Sequence, residues 1–165
     1  MKRTELLTLQ AEIESDLADL ARVVEEIREM VQALPSQEEP SHKDKAALGA
    51  YLHSFYNGVE NVLKRVAQEI DRSVPTGEGW HRALLRRMAA EVPGVRSAVL
   101  RSDTVAALEP YLGFRHFFRH SYTFEIDWEK LKPLVERVTE VSQGFRQDLE
   151  AFFADQLRRV EAEEP

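Results

Sequence analysis

The chain contains no cysteine, which excludes disulfide bonds, thiolate metal sites and cysteine nucleophiles. This absence fits a reducing cytoplasm, the compartment that we expect. Glycine and proline are scarce, with seven of each in 165 residues, and the remaining composition is that of a globular protein. Long apolar runs are also lacking, and acidic residues occur from Glu5 onward. We therefore expect neither a signal peptide nor a contact with a membrane.

The formal net charge is -7, but the charge is unevenly distributed. Between Lys64 and His120 there are ten basic residues against six acidic ones, whereas the rest of the chain has twelve against twenty-three. A basic middle region can bind an anion locally, because a cleft concentrates the electric field of its charges. The charge count alone favours a plainer interpretation, an uneven solvated surface.

Apolar residues recur at spacings of three and four, which predicts helices. The first stripe ends before Pro35, and Ser41 with Asp44 resembles a capping box that opens a second helix. The three clearest stripes are Ile13, Leu17, Leu20, Val24, Ile27, Val31 and Leu34; Leu48, Leu52, Phe55, Val59, Val62, Val66 and Ile70; and Leu131, Leu134, Val138, Val141, Phe145, Leu149 and Phe152.

Two shorter helices are predicted between the second and the last of these stripes. Trp80, Leu84 and Met88 define a third helix, and Ser102 or Asp103 is expected to cap a fourth. Pro110 and Gly113 predict a kink or a restart within the fourth helix. The segment YTFEID predicts a short extended turn. Asp127 is then expected to cap the last helix, whose first turn is put in doubt by Pro133.

No segment alternates with a period of two, so the predicted class is all-α, a bundle of about five helices in one domain over 1–165. The acidic tail, 160–165, is expected to fray.

The fourth helix ends in the stretch RHFFRHSY, which concentrates basic residues beside the most aromatic segment of the chain. Residues four apart stack on a helix, so Arg115 lies next to Arg119, and His116 next to His120. Phe117 and Phe118 can then turn to the core. Arg115 and His120 are five apart, about 140° around the helix. They would converge only if the helix end distorts or if a second copy of the chain faces the first.

Three interpretations of this stretch compete. Cations favour a helix C-terminus, so it is in one view a solvated surface. His116 and His120 have an i, i+4 spacing that can hold zinc, although no third ligand is identifiable. In the third view, arginine binds a phosphate and histidine moves a proton. These two functions suffice for metal-free RNA cleavage, in which the ribose 2′-OH is the nucleophile.

The same stretch resembles the Arg-x4-His-x-Tyr motif of HepT-like toxins, within the HEPN superfamily of ribonucleases. Arg115, His120 and Tyr122 occupy the three motif positions, and the residue after the arginine is commonly Asn, Asp or His, here His116. The likeness covers about Leu48 to Phe153, including AYLHSFYNGVENVLKRVAQEID and FEIDWEKLKPLVERV.

The resemblance implies a HEPN-type two-fold homodimer whose active site forms where the two motif helices meet. It implies the toxin of a type VII-like toxin–antitoxin system, a metal-independent endoribonuclease that needs no cofactor. Its partner would be a minimal nucleotidyltransferase antitoxin that transfers AMP to Tyr122. The RNA substrate, a transfer RNA or a messenger RNA, is not named by the sequence.

The mechanism hypothesised on this basis makes Arg115 and His120 catalytic. Arg115 binds the phosphate, while His120 is the base for the 2′-OH or the acid for the 5′-oxygen. His116 is a supporting candidate that orients His120 or hydrogen-bonds the phosphate. Arg119 is equally well a supporting residue or a surface charge. The rival hypothesis is a non-catalytic helical module that dimerises and binds the nucleotidyltransferase.

Further polar residues have open roles. Asn57, Glu60 and Asn61 lie at spacings that would let them face the motif or face solvent. The third helix holds His81, Arg82, Arg86 and Arg87, which either extend an RNA track or form an ordinary basic surface. Trp80 and Trp128 are expected to be core anchors, and no role is assigned to His42 or His53.

Overall fold

The structure, a computed structural model, describes residues 1–35, 39–120 and 126–163. Within these ranges there are five helices: α1 Arg3–Ala33, α2 His42–Glu69, α3 Trp80–Arg87, α4 Ser102–His120 and α5 Trp128–Glu163. Apart from one isolated antiparallel bridge between Val92 and Arg96, the regular structure of these ranges is helical. The all-α prediction is therefore confirmed for the described residues. None of these five helices is long and apolar enough to cross a membrane.

The predicted apolar stripes form the core. Most of their members are buried, together with Tyr56, Leu85, Tyr111 and Ile126. Long α1 and α5 pack against each other and against α2, and α4 packs between α2 and α5. Helix α1 is antiparallel to α2, because Arg65 near the end of α2 bonds to Glu12 near the start of α1, while Tyr51 reaches Glu26.

The predicted caps are present at two helix starts. The Ser41 hydroxyl accepts a hydrogen bond from the Asp44 amide at 3.2 Å, and the Asp127 carboxylate accepts one from the Glu129 amide at 3.0 Å. Each satisfies an amide that would otherwise lack a partner at the first turn.

The two internal prolines do not end their helices. Helix α4 runs without a restart through Pro110 and Gly113, and α5 runs through Pro133. Of the predicted kink or restart, the restart is therefore absent from α4. An internal proline costs about 3 kcal/mol, and buried Leu108, Tyr111 and Leu112 on the same helix offset that cost.

Two expectations fall at the limits of the described ranges. Helix α5 continues to Glu163, and the fraying of 160–165 stays a prediction. Of the predicted turn YTFEID, Ile126 and Asp127 are described, while the rest lies outside the described residues.

The basic region also contains a buried ion pair that fixes the connection from α3 to α4. The side chain of Arg96 is 0% exposed and donates to both carboxylate oxygens of Asp71, at 2.6 and 3.1 Å. Its remaining donors bond to the backbone carbonyls of Ala90, Ser97 and Arg87. This arginine is therefore a structural residue.

Candidate active site

Arg115 points from α4 toward α2, where two side chains hold its guanidinium. Its Nε donates to Asn57 Oδ1 at 2.6 Å, and its Nη2 donates to Glu60 Oε1 at 3.4 Å. The side chain is only 11% exposed. Among the described residues no acceptor bonds to Nη1. Arg115 is thus fixed in one orientation with donors remaining for a further anion.

Asn57 connects Arg115 to a histidine on α2. Because arginine only donates hydrogen bonds, Asn57 must present its oxygen to Arg115, and its Nδ2 then donates to His53 Nδ1 at 3.2 Å. Burial, followed by the charges of Arg115 and Arg119, lowers the pKa of His53 below its ordinary value. His53 is therefore neutral at pH 7 and able to accept this bond.

Glu60 connects Arg115 to a histidine on α3. Its carboxylate is 6% exposed, and Oε2 lies 2.5 Å from His81 Nδ1, which donates to it. The ring of His81 stacks on Trp80, with centroids 3.7 Å apart. Burial and the Glu60 charge raise the pKa of neighbouring Tyr56, so its phenol is neutral. Helices α2, α3 and α4 therefore meet in one polar cluster.

The two motif histidines lie apart from this cluster, on the exposed side of the end of α4. The rings of His116 and His120 stand 4.9 Å apart, as the i, i+4 spacing predicted. Helix α4 stays helical to His120, so the separation of about 140° between Arg115 and His120 is retained within one chain. Arg119 is exposed beside them. Tyr122 lies outside the described residues.

The two motif phenylalanines behave differently. Phe118 is half-buried between Phe114 and His53, with ring centroids at 5.8 and 5.4 Å. Phe117 is 40% exposed and does not turn to the core, which the sequence allowed for both residues. Adjacent helical residues point about 100° apart, and only one of the two can face α2. Phe117 lines an apolar pocket of about 360 Å³ between α4 and the start of α5, together with Pro110, Gly113, Phe114 and Leu134.

The remaining candidates divide between paired and solvent-facing residues. Asn61 is exposed and does not join Asn57 and Glu60. Arg82 is exposed, Arg86 donates to Glu109 at 3.0 Å, and Arg87 donates to the Ser73 carbonyl at 2.8 Å. Trp80 and Trp128 are half-buried against the core, as the core-anchor interpretation predicted. Lys64 Nζ also lies 5.3 Å from the Trp80 ring centroid.

A larger cavity lies elsewhere on the described part of the chain. It is an open cleft of about 750 Å³ at the start of α4, lined by Arg101, Asp148, Asp155 and Arg159 among others, and it contains no motif residue. In the described ranges no group of three or more His, Asp or Glu stands close enough to hold a metal ion.

Two members of the polar cluster were not recognised in the sequence. His53 was given no role, although its i, i+4 spacing to Asn57 places both on one face of α2. For His81 the sequence suggests an RNA track or a basic surface, and neither interpretation includes a contact with Glu60. Its contact with Glu60 depends on how α3 docks on α2, and no local pattern reports that docking.

The fold and the motif together define a class, a helical bundle with an Arg-x4-His motif at the end of its fourth helix. A family model described as HepT-like protein matches residues 47–156. The chain belongs to the HepT-like family, as the motif indicated. No curated protein and no solved structure matches it.

Proposed function

We propose that the protein is the toxin of a type VII-like HEPN toxin–antitoxin system and that it cleaves RNA without a metal ion. The observation that supports this best is that Arg115 and the two histidines occupy different faces of the end of α4. Asn57 fixes Arg115 with a short hydrogen bond, and Glu60 lies beside it at 3.4 Å. His116 and His120 are exposed about 100° and 140° around the same helix from Arg115. One side is suited to hold a phosphate, and the other is suited to exchange protons.

The site would be completed by a second copy of the chain. Arg115 and His120 do not converge within one chain, but a two-fold axis beside α4 would bring each motif toward its symmetry mate. Exposed Phe117 and its apolar pocket supply a surface that a second copy could cover. We expect a homodimer at micromolar concentration by sedimentation. A monomer under those conditions argues against the composite site.

In this site the 2′-OH attacks the adjacent phosphorus, and the bond from phosphorus to the 5′-oxygen breaks. One histidine, His120, accepts the proton of the 2′-OH or donates one to the leaving 5′-oxygen, with the second copy free to take the other role. Arg115 stabilises the charge on the phosphate oxygens, and His116 and Arg119 support it. The products are a 2′,3′-cyclic phosphate and a 5′-OH.

The test is RNA cleavage by purified protein that is free of any partner. Cleavage should persist in EDTA and fall by about 10² to 10⁴ in His120→Ala, the usual loss for a general acid or base. Arg115→Ala should fall comparably, whereas Arg22→Ala, an exposed arginine on α1, should cleave normally. Full activity in His120→Ala, a strict metal requirement or 3′-OH products would each contradict the mechanism. Absence of cleavage by the wild-type dimer would favour the non-catalytic module.

We further propose a nucleotidyltransferase antitoxin as the partner, which neutralises the toxin by transferring AMP to Tyr122. The tyrosine oxygen would attack the α-phosphorus of ATP and release pyrophosphate. The attached phosphodiester would carry negative charge two residues from His120, where it competes with RNA phosphate for the same donors.

Incubation with the partner, ATP and magnesium should give an AMP adduct on Tyr122 by mass spectrometry, and cleavage should fall as occupancy rises. Tyr122→Phe should keep its cleavage after the same treatment. An adduct that leaves cleavage intact would refute neutralisation by this route.

A further inference from the structure

The carboxylate of Glu60 is shared unequally between two cationic or proton-donating side chains. Its Oε2 lies 2.5 Å from His81 Nδ1, whereas its Oε1 lies 3.4 Å from Arg115 Nη2. Since a charged N–H···O bond normally measures about 2.7–2.9 Å, the contact with Arg115 is long. The carboxylate is held mainly by His81.

This unequal sharing matters because a free carboxylate beside a guanidinium prefers a different geometry. Arginine and carboxylate form a bidentate pair with two parallel hydrogen bonds. Glu60 is buried and has no water-facing alternative. If His81 stopped donating, Glu60 could turn both carboxylate oxygens to Arg115. The resulting ion pair would neutralise the guanidinium charge to which an RNA phosphate binds.

The position of His81 is itself determined by local structure. Gly79 begins α3 with φ at +74°, a left-handed conformation that favours glycine, and Trp80 stacks on the imidazole ring. Its side chain is 27% exposed, so most of the ring is enclosed. His81 is therefore presented to Glu60 in a fixed geometry.

We propose that His81, acting through Glu60, is a positioning residue that keeps Glu60 from closing on Arg115 and so leaves the guanidinium free to bind an RNA phosphate. The role of Arg115 toward RNA rests on the proposed function. The competing Glu60–Arg115 pair exists only in the free enzyme, because a bound phosphate has already displaced it. Loss of His81 should therefore raise KM and leave kcat nearly unchanged.

Two substitutions separate the effect of the Nδ1–H donor from that of the aromatic ring. His81→Asn places an amide nitrogen near the position of Nδ1 and keeps a donor. His81→Phe keeps an aromatic ring against Trp80 and loses the donor. For a cleavable RNA oligonucleotide, His81→Phe should raise KM about tenfold, the equivalent of one hydrogen bond to a charged group. His81→Asn should stay within about threefold of the wild type.

Kinetics that are equal in His81→Phe and the wild type would overturn the proposal. So would equal impairment of both variants, because His81→Asn keeps the donor, or a loss confined to kcat. A thermal melt of each variant accompanies the kinetics, and a KM effect counts only in a variant that is folded at the assay temperature.

A second readout does not depend on activity. The Arg115 Nε–H resonance in a ¹⁵N NMR spectrum, assigned by its disappearance in Arg115→Lys, reports the hydrogen bond to Asn57. It should move in His81→Phe and stay in place in His81→Asn. If the two variants show this pattern but the wild-type protein cleaves no RNA, the proposed function is refuted, while the positioning of Arg115 by His81 is supported. A resonance that moves in neither variant overturns the positioning, whatever the kinetics.

Discussion

Replacing Gly49 with alanine tests how closely α2 must approach the motif. A Cβ atom at this position would lie 2.9 Å from Phe118 Cε2, 3.2 Å from Phe118 Cδ2 and 3.1 Å from Ile126 Cδ1. These distances are shorter than ordinary van der Waals contacts, which begin near 3.5 Å between carbon atoms. Phe118 must therefore move, and it belongs to the helix turn that carries the motif.

Two opposing effects set the size of the change. Inserting a methyl group into a packed site costs about 1–3 kcal/mol, while alanine stabilises a helix interior relative to glycine by about 0.5–1 kcal/mol. Subtracting the second range from the first leaves a net destabilisation of about 0–2.5 kcal/mol, centred on about 1.3 kcal/mol. For a domain of this size the central value corresponds to a fall in Tm of roughly 4 °C.

Calorimetry on matched variants measures this change. Gly144→Ala on α5 is the control, because the nearest atom that its Cβ would meet is Thr104 Oγ1 at an ordinary 3.9 Å. The control should melt at or above the wild-type temperature. A Gly49→Ala protein that also melts at or above that temperature would refute the crowding argument. If the proposed function holds, RNA cleavage should decline in Gly49→Ala as well, since the displaced ring lies two residues from His120.

Two further predictions concern stability. Asp71→Asn should destabilise the protein by about 3–5 kcal/mol, because it leaves buried Arg96 without its counter-charge; chemical denaturation checks this against Glu25→Gln on the exposed face of α1, which should unfold like the wild type. Because the pKa of His53 is lowered in the folded protein, the unfolded chain binds more protons at this site. The contribution of neutral His53 to the free energy of unfolding is therefore complete above the unfolded pKa of about 6.5 and is lost as the pH falls toward the folded pKa. The free energy of unfolding of His53→Phe should therefore vary less between about pH 5 and 7 than that of the wild type, and parallel curves would contradict the assignment.

The long helices were predictable because their signals are local. The stripe on α1 repeats with the helical period, and a face of that kind has to be buried. The caps at Ser41 and Asp127 were likewise readable from a few consecutive residues. The prediction of a kink or a restart at Pro110 weighed only a local penalty. The burial of Tyr111 and Leu112 against neighbouring helices, which favours a continuous α4, is not a local signal.

The candidate site was predictable only in part. The motif residues stand out by type and spacing, and the proximity of the His116 and His120 rings follows from helix geometry. The side of α4 that faces α2 is determined by tertiary packing, at the point where Gly49 leaves room for Phe118. The same packing buries Arg115 against Asn57 and Glu60 and exposes Phe117. None of these outcomes can be predicted from the motif alone.

The start of α1 and the end of α5 lie together, since Arg3 bonds to Glu161 at 3.3 Å. Both are remote from Ile126, which packs beside the motif at the other end of the bundle. A short linker from the end of α5 to the start of α1, with new ends opened between α1 and α2, would give a circularly permuted bundle with the same helix contacts. Synthesis would then begin with α2 and finish with α1, so that α1 would dock last onto a surface already formed by α2 and α5. Comparing the refolding rates of the two arrangements would show whether α1 nucleates this bundle or only completes it.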